Sequence, residues 1–317
     1  MSSIFARAGS FGTTCVNNDS RAKRRAENEA LDLAVPENMS DQLPQHILIL
    51  GCGYVGTALA KRLVLDGHNV VATTTTDSRM REIADLGAMP LLLSLRESDR
   101  LHDALADREV VFLCVASGRK GQSYGELYAQ GARRLVGACR NTAVRRIVYT
   151  SSTRGYAQDD GSWVDEDSPT NPLDDDGQAL VAAEQVLLDA PRMEFVPPES
   201  FVSVLRLGGI HGPGRELAPR VHKAAGTNRS DGNAFLNLIH LEDIVETMTK
   251  LLTVEYRGVL NVCDGRPVLR RELYDREIAR VGILPIRWTK TCDAIRGKRV
   301  CIERLRRTLQ LSPRPHI

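Results

Sequence analysis

Short apolar runs alternate with longer stretches of helical periodicity along most of this chain. The runs His46–Leu50, Asn69–Thr74, Met89–Leu93, Val110–Ala116, Arg146–Ser151 and Phe201–Leu207 predict strands. Between them, Tyr54–Asp66 carries Val55, Leu59 and Leu63 at a spacing of four. Arg79–Leu86, Tyr124–Cys139 and Ala179–Leu188 also read as helices, and Gly67 and Gly87 stand where the first two helices stop. Val110–Ala116 is apolar without a break, as a central parallel strand covered on both faces requires. Strand and helix in strict alternation predict an α/β fold with a doubly wound parallel sheet. After Gly208 the alternation loosens. Gly208–Gly214 is a turn-rich loop and residues 215–235 read as irregular. A short strand at Phe235–His240, a helix at Leu241–Leu252, a strand at Gly258–Val262 and a helix at Arg270–Val281 follow.

The turn out of the first strand reads Gly51-Cys52-Gly53-Tyr54-Val55-Gly56, a Gly-x-Gly-x-x-Gly pattern between a predicted strand and a predicted helix. In that context each glycine has a task. Gly51 allows the tight turn, Gly53 lets backbone approach a pyrophosphate, and Gly56 lets the helix pack close to the sheet with its N-terminal amides facing the anion. The expectation is a Rossmann-type dinucleotide-binding domain over residues 44–207. Residues 208–317 then form a small C-terminal substrate lobe and the last sheet strands. Ligands of open α/β sheets sit beyond the C-terminal strand ends, so the loop after the fourth strand, with Val115 and Ala116, is expected to face the cofactor.

Composition narrows the functions. The formal net charge of the 317 residues is +2, which gives no ground for nucleic acid or an anionic membrane surface as partner. No apolar run approaches the ~18 residues that span a bilayer. The seven cysteines are scattered without a C-x-x-C pair and read as free thiols in a reducing compartment, so the expected location is cytoplasmic. Residues 1–43 differ from the rest. They are rich in Ser and Thr, lack acids before Asp19 and contain Arg21-Ala-Lys-Arg-Arg25. Two readings stand for them, a disordered extension or a transit peptide for a plastid or other organelle.

The end of the second strand bears on which dinucleotide is bound. An NAD site usually has Asp or Glu there, accepting from the ribose 2′-hydroxyl. Here Thr74 and Thr75 lie within Thr73-Thr-Thr-Thr76, followed by Arg79 and Arg81. Hydroxyls with guanidinium suit a 2′-phosphate, so NADP is favoured, with NAD as the alternative.

Landmarks further along resemble the extended short-chain dehydrogenase/reductase superfamily, the NAD(P)-dependent epimerase/dehydratase type, from about His46 to about Arg306. Besides the glycines they are Val111–Ala116, Arg146-Ile-Val-Tyr-Thr-Ser-Ser152, Arg206-Leu-Gly-Gly-Ile-His-Gly-Pro-Gly214 and Asn237-Leu-Ile-His-Leu-Glu-Asp243. The resemblance implies a nicotinamide cofactor, a nucleotide-sugar or similar small-molecule substrate, and a homodimer formed through helices near Tyr124–Cys139 and Ala179–Leu188. It also implies a catalytic Tyr-x-x-x-Lys, which this chain lacks. Counting back from Glu184, the family's helix glutamate, Asp176 takes the Tyr position and Leu180 the Lys position. None of the seven tyrosines has Lys four residues on. In this, and in its glycine spacing, the chain is similar to the atypical members described as nucleoside-diphosphate-sugar epimerase-like.

The candidates for chemistry are therefore Ser152, at the family's serine position, His211, in the loop expected to face the pocket, and Asp176. Ser152 could instead cap the next turn, and Asp176 could be a solvated acid of Asp174-Asp-Asp176. Tyr156 lacks a lysine partner in sequence, His240 reads as structural, and Cys52 beside a helix N-terminus is a thiol whose pKa could be depressed. Two functions follow. One is an epimerase, dehydratase or reductase with a non-standard acid/base. The other is a dinucleotide-binding sensor or scaffold without chemistry.

Overall fold

A computed structural model describes residues 45–116, 123–289 and 294–315. The extension expected over residues 1–43 lies outside the described residues. Seven strands make one parallel sheet: β1 (His46–Leu50), β2 (Asn69–Thr74), β3 (Met89–Leu92), β4 (Val110–Leu113), β5 (Arg146–Ser152), β6 (Phe201–Leu207) and β7 (Gly258–Val262). Their spatial order is β7-β6-β5-β4-β1-β2-β3. The order reverses between β1 and β4, which are neighbours with Ile47 opposite Val110. The helices are α1 (Tyr54–Leu65), α2 (Met80–Asp85), α3 (Ser98–Leu105), α4 (Gly131–Ala138), α5 (Asp175–Asp189), α6 (Leu217–Ala224), α7 (Leu241–Lys250), α8 (Arg270–Val281) and α9 (Glu303–Leu309).

The alternation within β1 explains why the sheet is covered twice. Ile47 and Ile49 point to one face and pack with Leu59 and Leu63 of α1, Ile244 and Met248 of α7 and Leu305 of α9. Leu48 and Leu50 point to the other, among Leu101 of α3, Leu135 of α4 and Leu187 of α5. All are buried, and each such side chain contributes about 1.5–3 kcal/mol of burial free energy.

The local departures from the periodicity have physical causes. The predicted helix at Arg79–Leu86 is preceded by a tight 3₁₀ turn, Asp77–Arg79. The predicted helix at Tyr124–Cys139 begins as a π-helical segment, Gly125–Gln130, and becomes α-helical only at Gly131. α5 starts four residues before Ala179, because Asp174 caps it with a carboxylate oxygen that accepts from the Gly177 N–H at 2.8 Å. α3 is an addition to the predicted elements. Its two buried side chains, Leu101 and Leu105, are set in a charged stretch with too few apolar positions for a period to emerge. α6 lies within the segment expected to be irregular.

Beyond β6, apart from β7, the chain makes short two-stranded pairs rather than a second large sheet. Gly209–His211 runs beside Leu238–His240. Arg299–Val300 runs beside Trp163–Val164, which brings a late segment against the loop that follows β5. Asn237 clamps that segment. Its amide donates to the Lys298 carbonyl at 2.8 Å, and its side-chain oxygen accepts from the Val300 N–H at 2.9 Å.

Candidate functional site

The glycine loop leaves β1 at the point where the strand order reverses. Gly51 has φ +95°, and a Cβ there would stand 3.0 Å from the Val115 backbone. A Cβ on Gly56 would stand 2.3 Å from the Gly51 carbonyl oxygen, so α1 packs against its own turn only because that position is bare. Gly53 is different. A Cβ there would meet nothing within 4 Å, so protein packing does not demand glycine at this position. The open space lies on a cavity of about 640 Å³ lined by the loop, Thr73–Thr76, Arg79, Cys114–Ala116 and Thr150–Ser152. No side chain caps the N-terminus of α1 and its first turn holds no acid. Bare amides beside an open cradle fit a pyrophosphate, so the residues present fit a dinucleotide.

The end of β2 is tied to this loop. Thr73 accepts from the Gly51 N–H through Oγ1 at 3.0 Å, and its carbonyl accepts from the Cys52 N–H at 2.8 Å. Thr74 Oγ1 accepts from the Thr76 N–H at 3.1 Å, while Thr75 and Thr76 line the cavity. Arg79 reaches back to the loop, donating from Nη1 to the Cys52 carbonyl at 2.6 Å and from Nη2 to Thr57 Oγ1 at 3.3 Å. Its Nε pairs with Glu82 at 3.0 Å. Among the described residues, the one carboxylate on this wall is Glu126, which pairs with Arg96 at 2.7 Å. Tyr54 and Val55 also line the cavity. The Tyr54 hydroxyl donates to the Pro213 carbonyl at 2.9 Å, and Arg215 stacks 4.2 Å from its ring centre.

Ser152 lies where the first cavity meets a second of about 590 Å³, on the walls of both. Its Oγ accepts from the Arg154 N–H at 3.2 Å, so it caps the following turn while lining the junction. Asp176 does not line either cavity. It pairs with Arg154 at 3.1 Å, and Arg154 also bonds Asp174 at 3.0 Å. The guanidinium of this ion pair lines both cavities.

His211, expected to face the pocket, is buried and is not on the wall. Strand alternation puts Gly208 and Ile210 there, and the His211 ring lies edge-on to His240 with centres 5.1 Å apart. His240 caps α7, its Nδ1 accepting from the Glu242 N–H at 3.2 Å. Tyr156 is also buried. Its hydroxyl donates to Asn261 Oδ1 at 2.7 Å, and burial pushes its pKa up to about 12. Burial likewise pushes the Cys52 thiol up, outweighing the Thr57 hydrogen bond and the charge of Arg79, which corrects the idea of a depressed pKa.

Beneath the junction a buried pair fixes the end of β5. Arg206 and Glu184 meet at 2.6 Å, with side chains 6% and 3% exposed, and Ser151 donates to the same carboxylate at 2.5 Å. The second cavity is lined by Arg154, Arg220, Arg270, Lys298 and Tyr274 besides Ser152, and no acid lies on its wall among the described residues. Arg154 and Lys298 were missed by sequence reasoning. Neither stands in a motif, and Lys298 reaches the junction from 142 residues beyond Tyr156.

A parallel sheet in this order, with a glycine loop at the reversal and a substrate-sized cavity beyond it, defines a Rossmann protein of the short-chain dehydrogenase/reductase kind. The chain belongs to the NAD dependent epimerase/dehydratase family, whose model matches residues 47–263. It is 30% identical over 268 residues to "Protein YeeZ" of Escherichia coli (strain K12), covering 81% of this chain and 93% of that one. It is 26% identical over 255 residues to the 2-alkyl-3-oxoalkanoate reductase of Stenotrophomonas maltophilia, covering 73% and 74%. Its fold is similar to that of MoeE5 in complex with UDP-glucuronic acid and NAD, with a TM-score of 0.72, 24% identity and 85% and 94% of the two chains covered. No described helix is long and apolar enough to cross a membrane.

Proposed function

We propose that this protein binds NADP in the first cavity and carries out epimerase, dehydratase or reductase chemistry on a small hydroxyl- or carbonyl-bearing molecule in the second, with a nucleotide-sugar as one such substrate. The observation that carries the cofactor choice is Arg79. Its guanidinium lies on the glycine loop beside Thr74–Thr76, at the strand end where an NAD site would hold a carboxylate. Gly51–Gly56 would hold the pyrophosphate, Val115 and Ala116 would flank the dinucleotide at the end of β4, and Arg79 with Thr74 and Thr75 would take the 2′-phosphate. When bound, the nicotinamide supplies hydride exchange at the junction of the cavities. There Ser152 would hydrogen-bond the reacting oxygen of the substrate.

The supporting experiment is a pair of fluorescence titrations. NADPH is expected to bind the full chain more tightly than NADH, and equal affinities or the reverse order would overturn the choice. Dimerisation through the faces of Gly125–Ala138 and α5 belongs to the same proposal, and light scattering coupled to gel filtration reads it directly.

The ion pair Arg154–Asp176 favours a second function. A guanidinium does not deprotonate in proteins, and the carboxylate paired with it lies off both cavities. A protein with only that pair at the junction would bind the dinucleotide as a sensor or scaffold. Binding of NADPH without turnover of any alcohol or carbonyl would point that way.

A further inference from the structure

The residues usually responsible for proton transfer in this family are missing, so every titratable side chain on the two cavities is a candidate for the task. On the first cavity these are Cys52, Cys114, Tyr54, Tyr124, Tyr128 and Glu126. Burial pushes both thiols up, Tyr54 is bonded to Pro213, and Glu126 is ion-paired. On the second cavity Tyr274 and Lys298 are the groups that could exchange a proton, since its other ionisable groups are arginines.

Lys298 is fixed to the loop that follows Ser152. Its Nζ donates to the Thr153 carbonyl at 3.4 Å and to the Tyr156 carbonyl. Its own backbone is held by Asn237, as described above. No carboxylate lies within ion-pair distance of its amine among the described residues. An ammonium has three donors, and two are used. A neutral amine has two donors and a lone pair. The two carbonyl bonds therefore persist in either protonation state, and the position that titrates is the third one, on a side chain that lines the cavity with Ser152.

We infer that Lys298 is the proton-holding residue of this site, taking the role of the absent Tyr-x-x-x-Lys towards a substrate oxygen bound at Ser152. In the oxidising direction the substrate C–H and O–H bonds break, the hydride going to the oxidised nicotinamide dinucleotide and the proton to the neutral amine of Lys298, whose third N–H bond forms. In the reducing direction the reduced dinucleotide supplies the hydride that forms the C–H bond, while that N–H bond breaks and the O–H bond forms. The inference rests on the dinucleotide-dependent function proposed above. Burial lowers the proton affinity of the amine below the ordinary lysine value, against the opposing pull of Asp159 and Asp174. The other charged groups around the cavity are Arg154, Arg220 and Arg270, which disfavour a further positive charge.

Two measurements on the full chain test this. In the first, competitive acetylation with acetic anhydride is followed by mass spectrometry across pH. Lys298 is expected to reach half-labelling at a lower pH than Lys61 and Lys250. Titration together with those two lysines, or no labelling at all, overturns the inference. In the second, Lys298→Arg keeps a cation and donors for both carbonyls but cannot release a proton. Its thermal midpoint and NADPH affinity are expected to match the wild type, while turnover of a panel of small ketones and alcohols falls by about a hundredfold or more. Turnover in Lys298→Arg near the wild-type level means a purely structural lysine and overturns the inference. Wild-type silence across the panel with NADPH bound overturns it as well and leaves the sensor function. Failure of NADPH to bind would instead overturn the cofactor proposal, while the labelling profile still decides whether Lys298 titrates as inferred.

Discussion

Arg79 and Cys52 stand 27 residues apart in sequence, yet the guanidinium of one donates to the carbonyl of the other at 2.6 Å. The bond places a fixed positive charge on the glycine loop at the end of β2. Removing it tests the cofactor proposal directly. Arg79→Ala is expected to weaken NADPH binding about ten- to hundredfold, the range for a charge-assisted hydrogen bond, and to leave NADH binding within about threefold. Parallel loss of both would show that Arg79 supports the loop rather than the 2′-phosphate.

Two glycines of the loop should separate stability from binding. At Gly56 an added Cβ meets the Gly51 carbonyl, which is backbone and cannot step aside. Gly56→Ala is expected to destabilise the fold by about 1–3 kcal/mol, read as a shift in urea midpoint. At Gly53 an added Cβ meets only open space. Gly53→Ala is expected to keep the wild-type midpoint and to lose most of its NADPH affinity. A stable, tightly binding Gly53→Ala would contradict the path assigned to the pyrophosphate.

The buried pair beneath the junction should matter more for the fold than for the ligand. Glu184→Ala leaves Arg206 charged and buried without its partner. Breaking a pair so enclosed costs about 3–5 kcal/mol, and chemical denaturation would record it. Glu184→Gln, which keeps an acceptor for Ser151 and Arg206, is expected to cost less. Equal stability of the two variants would mean that the charge, not the hydrogen bonding, carries the effect.

His68 gives a pH dependence whose sign is fixed by its geometry. Burial lowers its pKa, with Asp66 opposing, and its Nδ1 accepts from the Gln45 N–H at 3.2 Å only when deprotonated. The unfolded chain takes up this proton near pH 6.5, before the folded chain does. The contribution is therefore present above that pH and is lost as pH falls from about 6.5 through the lowered folded value. Stability of the wild type is expected to decline more steeply over that window than that of His68→Gln. Superimposable slopes in acid denaturation would rule out a role for this imidazole.

The parts of the fold and site that were legible in the sequence are those made by neighbours in sequence. The glycine loop, the helix with Val55, Leu59 and Leu63, and the unbroken apolar run of β4 each announce themselves within a dozen residues. α3 did not, because two leucines in a charged segment set no period. His211 was expected in a turn-rich loop, but Gly209–His211 is a three-residue strand whose alternating faces turn Ile210 to the cavity and the histidine away from it. Arg154 could be seen only as an exposed cation until the start of α5 brought Asp174 and Asp176 beside it. Lys298 had no local signal at all.

The clamp of Asn237 on Lys298 and Val300 also bears on how the molecule is made. Synthesis runs from the N-terminus, so the glycine loop and β1–β5 are complete long before the segment that closes the second cavity leaves the ribosome. Contacts this distant in sequence form late and at a high entropic cost. A nascent chain ending near β7 would already hold the cradle for a dinucleotide, while Arg270, Tyr274 and Lys298 of the second cavity were still to be made. Under the proposed function, chemistry would wait for that last segment, while a bound dinucleotide would already stabilise the early domain.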